Sequence, residues 1–376
     1  MIPVLYEKDR TTFENNGLGG LPHALSCTVT REANKQGGHY LNMEYPVEGL
    51  HFGDIQEERL IYAAPAPHLK PQPFRISRIV PEWKKAVIEA PHVSAQLQKI
   101  TTYGVESGTN IEGQLNTLLW RAGQLGQTTG FWLTTDITRE GITTFNYPEP
   151  SSVADILLGE EGSVLDMLGG EYEFDGWHII LHKQKGRNTP FEIRAGVNIT
   201  SVRVETDDSS LVTAVLPYYK TEQNGQDVFV YGSLCKASSA DDYQITRCVP
   251  LDVSENFSDL EEGTLPTAEQ VTAQGQAFIT GSASSVLRTS YEVQFVPTTP
   301  DIPNVNPAPK RIHDLFDRWQ VVLPEYGIKA TARIEKTVHN VLLNRYDSVT
   351  IGVIQRNAAD TIAALIKNTG NQKILW

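Results

Sequence analysis

Through the first ninety residues, apolar side chains tend to recur at every second position. Ile2 to Glu7 reads as a short strand. Ala24 to Arg31 places Leu25, Cys27 and Val29 in alternation with polar residues, and His39 to Tyr45 carries Tyr40, Leu41 and Met43. Arg59-Leu60-Ile61-Tyr62 and Phe74-Arg75-Ile76-Ser77 follow, separated by the proline-rich loop Ala64-Pro65-Ala66-Pro67-His68-Leu69-Lys70-Pro71. Gly17, Gly19 and Gly20 punctuate the chain as a turn. Short strands at this spacing predict a small barrel or sandwich.

The period then changes. Ile111, Leu115, Leu118, Leu119 and Ala122 fall on one stripe of a helix from Ile111 to Ala122. Phe131-Trp132-Leu133 is a strand. Ser151 caps a short helix carrying Val153, Ile156 and Leu157, and Ser163 caps another carrying Val164, Leu165 and Leu168, which Gly169-Gly170 stops. Glu171 to Leu181 reads as a hairpin with a type I′ turn at Asp175-Gly176, pairing Phe174 with Trp177 and Tyr172 with Ile179. That register puts Tyr172, Phe174, Trp177, Ile179 and Leu181 on one apolar face, expected in a core. Glu171, Glu173, His178, Ile180 and His182 take the other.

Strands return at Ile199 to Glu205, Leu211 to Leu216, Val228 to Leu234 and Tyr291 to Val296, with a polar turn at Glu222 to Gln226. Thr267 and Gln270 are spaced as a capping box for a helix from Ala268 to Ile279. Pro297 to Pro309 reads as extended linker, residues 315–352 as strands, and Asn357 to Asn368 as a helical tail.

Length and charge narrow the classes. The 376 residues are enough for two to four domains, and 40% hydrophobic with 20% charged residues describes a folded chain. The net charge of -13, from 45 acidic and 32 basic residues, argues against a surface that grips nucleic-acid phosphates. Cys27, Cys235 and Cys248 form no disulfide framework. Cys235 and Cys248 would pair only if a hairpin opposed them, and small buried side chains are the default. The sequence shows no signal peptide and no apolar run approaching ~18 residues, so no membrane anchor is expected.

Candidate chemistry is sparse. His178 and His182 lie in a strand, roughly 13 Å apart at ~3.3 Å per residue, too far to share a zinc ion. The acidic pairs Glu57-Glu58, Glu160-Glu161, Asp207-Asp208, Asp241-Asp242 and Glu261-Glu262 select no facing couple for a glycosidase. GxSxG, P-loop, HExxH and dinucleotide-binding patterns are missing. The sequence therefore assigns no catalytic residue, cofactor or metal, and a non-enzymatic role is expected. Two other readings stand beside it. One is a carboxylate-dependent peptidoglycan hydrolase. The other is a carbohydrate-binding module using Trp83, Trp120, Trp132 and Trp319 as sugar platforms.

Several segments, in order, resemble phage minor structural proteins, the tail-associated lysin family of Gram-positive siphophages and prophages. They are Ile2 to Glu7, Gly17 to Glu32, Met43-Glu44-Tyr45-Pro46, Gln72 to Ile76, and Ala90, His92, Ser94 and Leu97 spaced as A-x-H-x-S-x-x-L. Leu157 to Asp166, Gly169 to Tyr172, Ile193-Arg194 with Gly196 and Asn198, Tyr326 to Ile334 and Arg345 to Gly352 continue the likeness. Longer members carry a C-terminal peptidoglycan hydrolase or fibre, and none is read within these residues.

The resemblance implies a β-rich α+β fold like the central baseplate hub of contractile tails: two small β-barrels forming a ring segment, with two inserted α/β domains. The implied division is 1–95 plus 188–215 for the first barrel, 96–187 for its insertion, 216–255 plus 312–352 for the second barrel, 256–311 for the second insertion and 353–376 for the tail. It further implies a structural tail-tip protein at the distal end of the virion. A homotrimer would join the sixfold distal tail protein ring to a threefold tip. Its other partners would be the tail tube, the tape-measure protein and downstream receptor-binding or fibre proteins. DNA would be only a passing cargo. A trimer of chains at -13 each would suit an acidic bore that DNA does not stick to.

Overall fold

The computed structural model describes residues 2–67, 69–127, 130–159, 162–194, 199–207, 211–223, 226–257, 264–281, 288–295, 314–323 and 328–351. The expected linker at Pro297 to Pro309 and the helical tail at 353–376 lie outside the described residues. Strands dominate, helices are few, and no sheet closes into a barrel among the described residues, so the β-rich α+β class holds. The chain divides into two compact units. The first takes Met1–Val202, Glu292–Gln320 and Thr331–Gly352, and the second is built on Arg203–Tyr291 and Val321–Ala330.

The main sheet of the first unit runs in spatial order Arg345–Ile351, Ile328–Asn340, Ser26–Glu32, His39–Pro46, Lys85–Pro91 and Arg78–Pro81, all antiparallel. The alternation seen in the sequence sets its register. Cys27 faces Met43, which faces Ile88; Val29 faces Leu41, which faces Ala90. All six are buried, a gain of about 1.5–3 kcal/mol for each large side chain. Gly19–Gly20, Val4–Tyr6, Leu60–Ala63 and Gln72–Arg75 form a second sheet, whose Leu5, Ile61 and Phe74 enter the same core.

One expectation changes here. Residues 312–352 were grouped with 216–255, yet Lys336 pairs with Glu32, Thr337 with Arg31 and Val338 with Thr30. The hairpin at 334–351 thus belongs to the sheet of the first unit. Lys336 Nζ lies 3.5 Å from Glu32 Oε1, and His339 and Thr337 are buried beside the N-terminal strand.

Between Leu97 and Leu181 the first unit builds a second core. Helix Ile111–Gln124 is capped by Asn110 and packs against strand Thr101–Gly108, which forms a hairpin with Thr143–Ser152. Tyr147-Pro148-Glu149-Pro150 disguised that second strand. The register shifts between Tyr147 and Ser151, where prolines are tolerated. Ser152, not Ser151, caps helix Val153–Leu158, and Ser163 caps Val164–Leu168 as expected.

The hairpin Glu171–Asp175/His178–His182 forms, but its turn moves by one residue. Asp175 pairs with His178 and Phe174 with Ile179, which leaves Gly176 and Trp177 at the turn. Gly176 has φ +60°, fitting the first central position of a type II′ turn. Changing the paired partner by two residues preserves the face, so Tyr172, Phe174, Ile179 and Leu181 still point into the same core. Trp132–Thr135 adds in parallel to His178–His182, leaving Glu171–Asp175 at the edge of the three-stranded sheet.

In the second unit, Ala214–Gln223 is the central strand. It begins three residues later than the sequence suggested, and it pairs with Gln226–Tyr231, Cys235–Lys236 and Cys248–Asp252. Ala214 pairs with Lys236 on one side and Cys248 on the other, so the strand separates Cys235 from Cys248, and both are free thiols. Helix Ala268–Gly281 carries the expected reciprocal bonds between Thr267 and Gln270. Its Gly275 lets it approach Pro217, where a β-carbon would sit 2.6 Å from the ring.

The first unit buries neutral histidines. His39 and His92 stack at 4.3 Å, and burial pushes the His92 imidazole down to about 3. Burial also lowers His339 to about 4, although its bond to the Ala64 carbonyl opposes the shift. The unfolded chain protonates these groups below about 6.5 while the native state does not. Their stabilisation is therefore complete above pH 6.5 and falls as pH drops toward 3–4, by up to about 1.4 kcal/mol per pH unit per proton. Urea titrations from pH 7.5 to 4.5 should show this loss. His92→Asn, which keeps an acceptor for the Ser94 N–H, should make the slope shallower by one proton.

Candidate functional site

The loop Lys183 to Arg187 and the turn Asp314 to Arg318 have few ladder partners to fix them, so buried acids do that work. Asp317 accepts from the Arg187 and Asp314 backbone N–H groups at 2.9 and 3.1 Å, and from the Arg187 guanidinium at 3.3 Å. Glu171 accepts from the Lys185 and Gly186 N–H groups at 2.6 and 2.8 Å, and from Arg318 at 3.0 Å. Gly186 has no alternative here, because a β-carbon would lie 1.9 Å from the Phe316 carbonyl oxygen. Phe316 itself sits at φ +75°.

Asp314 is the centre of this network. It is 8% exposed and pairs with Arg31, which is 6% exposed. Lys185 reaches Asp314 at 3.3 Å and Glu173 at 3.0 Å, and Glu173 reaches His182 at 3.0 Å. Burial alone would raise the Asp314 carboxyl, but the Arg31 and Lys185 charges outweigh it and hold the group well below the usual carboxylate range.

Above these groups opens a cleft of about 380 Å³. Its walls are the turn between strands Ser26–Glu32 and His39–Pro46, the loop around Pro65 to Gln72, and strand Glu171–Asp175. Two side-chain amides hold that strand in place. Asn34 accepts from the Tyr172 N–H and donates to the Gly170 carbonyl, both at 2.9 Å. Gln72 accepts from the Gly176 N–H and donates to Asp175, both at 2.7 Å. Lys35 and Glu32 pair at the rim. The carboxylates in and under the cleft are thus each held by a cation or an amide. None is arranged as a general acid facing a free base.

The residues singled out by sequence lie elsewhere. Glu57 and Glu58 are exposed on a turn and Asp241 and Asp242 on the short helix Ala240–Asp242, Asp207 ends strand Ile199–Asp207, and Glu160, Glu161, Asp208, Glu261 and Glu262 lie outside the described residues. His178 stacks on Trp132 and bonds Thr134, so it and His182 have separate partners. Of the four tryptophans, Trp319 is 0% exposed and offers no platform, whereas Trp83 is 91% exposed and Trp120 and Trp132 are also open to solvent. Sequence reasoning missed Arg31, Lys185, Asp314 and Asp317. The Asp-x-x-Asp spacing and the Lys-x-Lys-x-Arg run were visible, but they lie 129 to 130 residues from each other, and Arg31 lies 283 residues upstream of Asp314.

Asp314→Ala should strand the buried Arg31 guanidinium and destabilise the first unit by about 3–5 kcal/mol. The double variant Arg31→Met/Asp314→Leu should recover part of that loss. Both would be read by urea denaturation with near-ultraviolet circular dichroism.

No family model and no curated protein matches this sequence. Solved structures do. The chain is similar over 99% of its length to all of prophage tail protein gp18 from Listeria monocytogenes EGD-e, with TM-score 0.54 and 14% identity. It matches over 94% of its length with 98% of the 43 kDa tail protein of prophage MuSo2 from Shewanella oneidensis, at TM-score 0.55 and 11% identity. A tail protein from Neisseria meningitidis MC58 aligns over 96% of this chain and 98% of its own, at TM-score 0.56 and 11% identity. The chain has the fold of these prophage tail proteins, which meets at the level of fold the resemblance read from its sequence.

Proposed function

We propose that this chain is a structural component of a phage or prophage tail, acting as the hub of its tip. The observation that carries the reading is the end-to-end match to three prophage tail proteins, with neither chain leaving more than a small fraction unaligned. A fold alone does not fix a function. The candidate site is consistent with this reading, because its charged groups Arg31, Asp314, Lys185 and Glu173 pair with one another and hold chain segments together.

In this reading the protein is a homotrimer without enzymatic activity. Each chain contributes two β-rich domains to a ring, giving a pseudo-sixfold surface for the distal tail protein ring and a threefold surface for the tip. The tail tube and tape-measure protein end at this ring, fibre or receptor-binding proteins attach below it, and DNA passes through. The acidic balance of the chain suits a bore that releases DNA.

Immunogold labelling of purified particles should place the protein at one tail end, at a trimer per tail by quantitative mass spectrometry. Deleting its gene should leave particles without complete tails. Complete, infectious tails lacking the protein would overturn the proposal.

A carbohydrate-binding role is the second reading, favoured by the exposed indoles of Trp83, Trp120 and Trp132. It expects glycan-array binding that a single Trp→Ala change at one of these positions abolishes. Unchanged binding in all three variants would remove it.

A further inference from the structure

The cleft of the first unit exposes a strand edge, and its unpaired backbone groups define what fits there. Glu171–Asp175 is the edge strand of its sheet. All four consecutive residues from Tyr172 to Asp175 line the cleft, as an edge does; a sheet face would present alternate residues. The pair closing the hairpin, Asp175 with His178, is followed by Glu173 with Ile180, so these residues bond across the ladder. Tyr172 and Phe174 therefore turn their N–H and C=O groups to the open side. The bond from the Tyr172 N–H to Asn34 confirms that direction.

Asn34 and Gln72 act as short stand-ins for a neighbouring strand. Asn34 bonds the backbone at the start of the edge, at the Gly170 carbonyl and the Tyr172 N–H, and Gln72 bonds the Asp175 carboxylate and the Gly176 N–H at its end. Between them, the Phe174 N–H and C=O and the Tyr172 C=O have no partner among the described residues. Arg31, which lines the cleft, also has a buried Nε without a partner among the described residues.

We propose that this cleft is a docking site for an extended segment of another protein, which adds as a short strand beside Tyr172 to Asp175. The charges around it restrict the partner's chemistry. Arg31 and Lys185 are spent on Asp314 and Glu173, Lys35 on Glu32 and Asp175 on the Gln72 amide, so the paired charges select neither a polyanion nor a polycation, and the exposed Lys70 is the one lining charge without a partner among the described residues. The partly buried Leu158 and Phe174 supply an apolar wall. The fitting segment is uncharged at its centre and carries an apolar side chain toward that wall. Backbone bonds give affinity and the wall gives selectivity. The site stands on the geometry of the cleft and does not depend on the tail role.

The test uses the purified full chain and a random dodecapeptide display library. Selected peptides are synthesised with backbone N-methylation at one alternating set of residues or at the other. Methylation of the set facing the edge should weaken binding about tenfold or more, the loss of at least one net hydrogen bond, while the other set binds nearly unchanged. Peptide binding should slow hydrogen exchange of the Phe174 amide. Phe174→Pro, which removes that N–H, should abolish binding, and Phe174→Leu should retain it. The methylation contrast stands even if the proline variant misfolds. Failure of any peptide to enrich, equal effects of the two methylation sets, or a Phe174 amide in the free chain that exchanges as slowly as Ile180 would each overturn the proposal.

Discussion

A carboxylate cannot be buried without donors, and Asp314 takes its donors from distant parts of the chain. Arg31 comes from the N-terminal strand, Lys185 from the loop after the inserted hairpin, and the Asp314 N–H itself bonds the neighbouring Asp317. Arg31 and Asp314 would each be an uncompensated buried charge without the other. Their mutual requirement makes the arrangement nearly all-or-none. Glu171 and Asp317 repeat the device on either side, each binding backbone N–H groups together with a cation. The first unit thereby fixes two irregular segments with acids in place of a strand ladder. Such a network adds little net energy over an apolar core, but it admits only one arrangement of its segments.

This economy bears on function. A protein that must hold a shape under load gains from charges that specify geometry. An enzyme of the same fold would need some of those charges released toward a substrate. In the cleft over Asp314, Arg31, Lys185 and Lys35 are paired with Asp314, Glu173 and Glu32, and backbone groups of Tyr172 and Phe174 lie along the strand edge beside them.

Local patterns carried much of this architecture. The helix at Ile111–Gln124, the Ser163 cap, the Thr267–Gln270 capping box and the alternation in Ser26–Glu32 and His39–Pro46 each depend on neighbours within a few residues, so the sequence displays them. The hairpin at Glu171–His182 was legible in its face but misplaced by one residue at its turn, because Asp-Gly suits type I′ and Gly-Trp suits type II′ with the same parity. The strand Thr143–Ser152 was hidden by its prolines. The candidate site was not legible at all. Its central pair spans 283 residues, and a lone Arg in an alternating strand looks like a solvent-facing residue until its distant partner is placed.

That separation has a consequence for synthesis. Arg31 leaves the ribosome 283 residues ahead of Asp314, an interval of roughly 15–60 s at bacterial or eukaryotic elongation rates. During it the N-terminal strand can pair with His39–Pro46, yet its guanidinium has no carboxylate to enter the core with, and the sheet edge that later receives Lys336 stays open. The first unit therefore matures after translation has nearly reached its closing hairpin. A nascent chain that has not yet reached Asp314 carries Arg31 without its carboxylate partner.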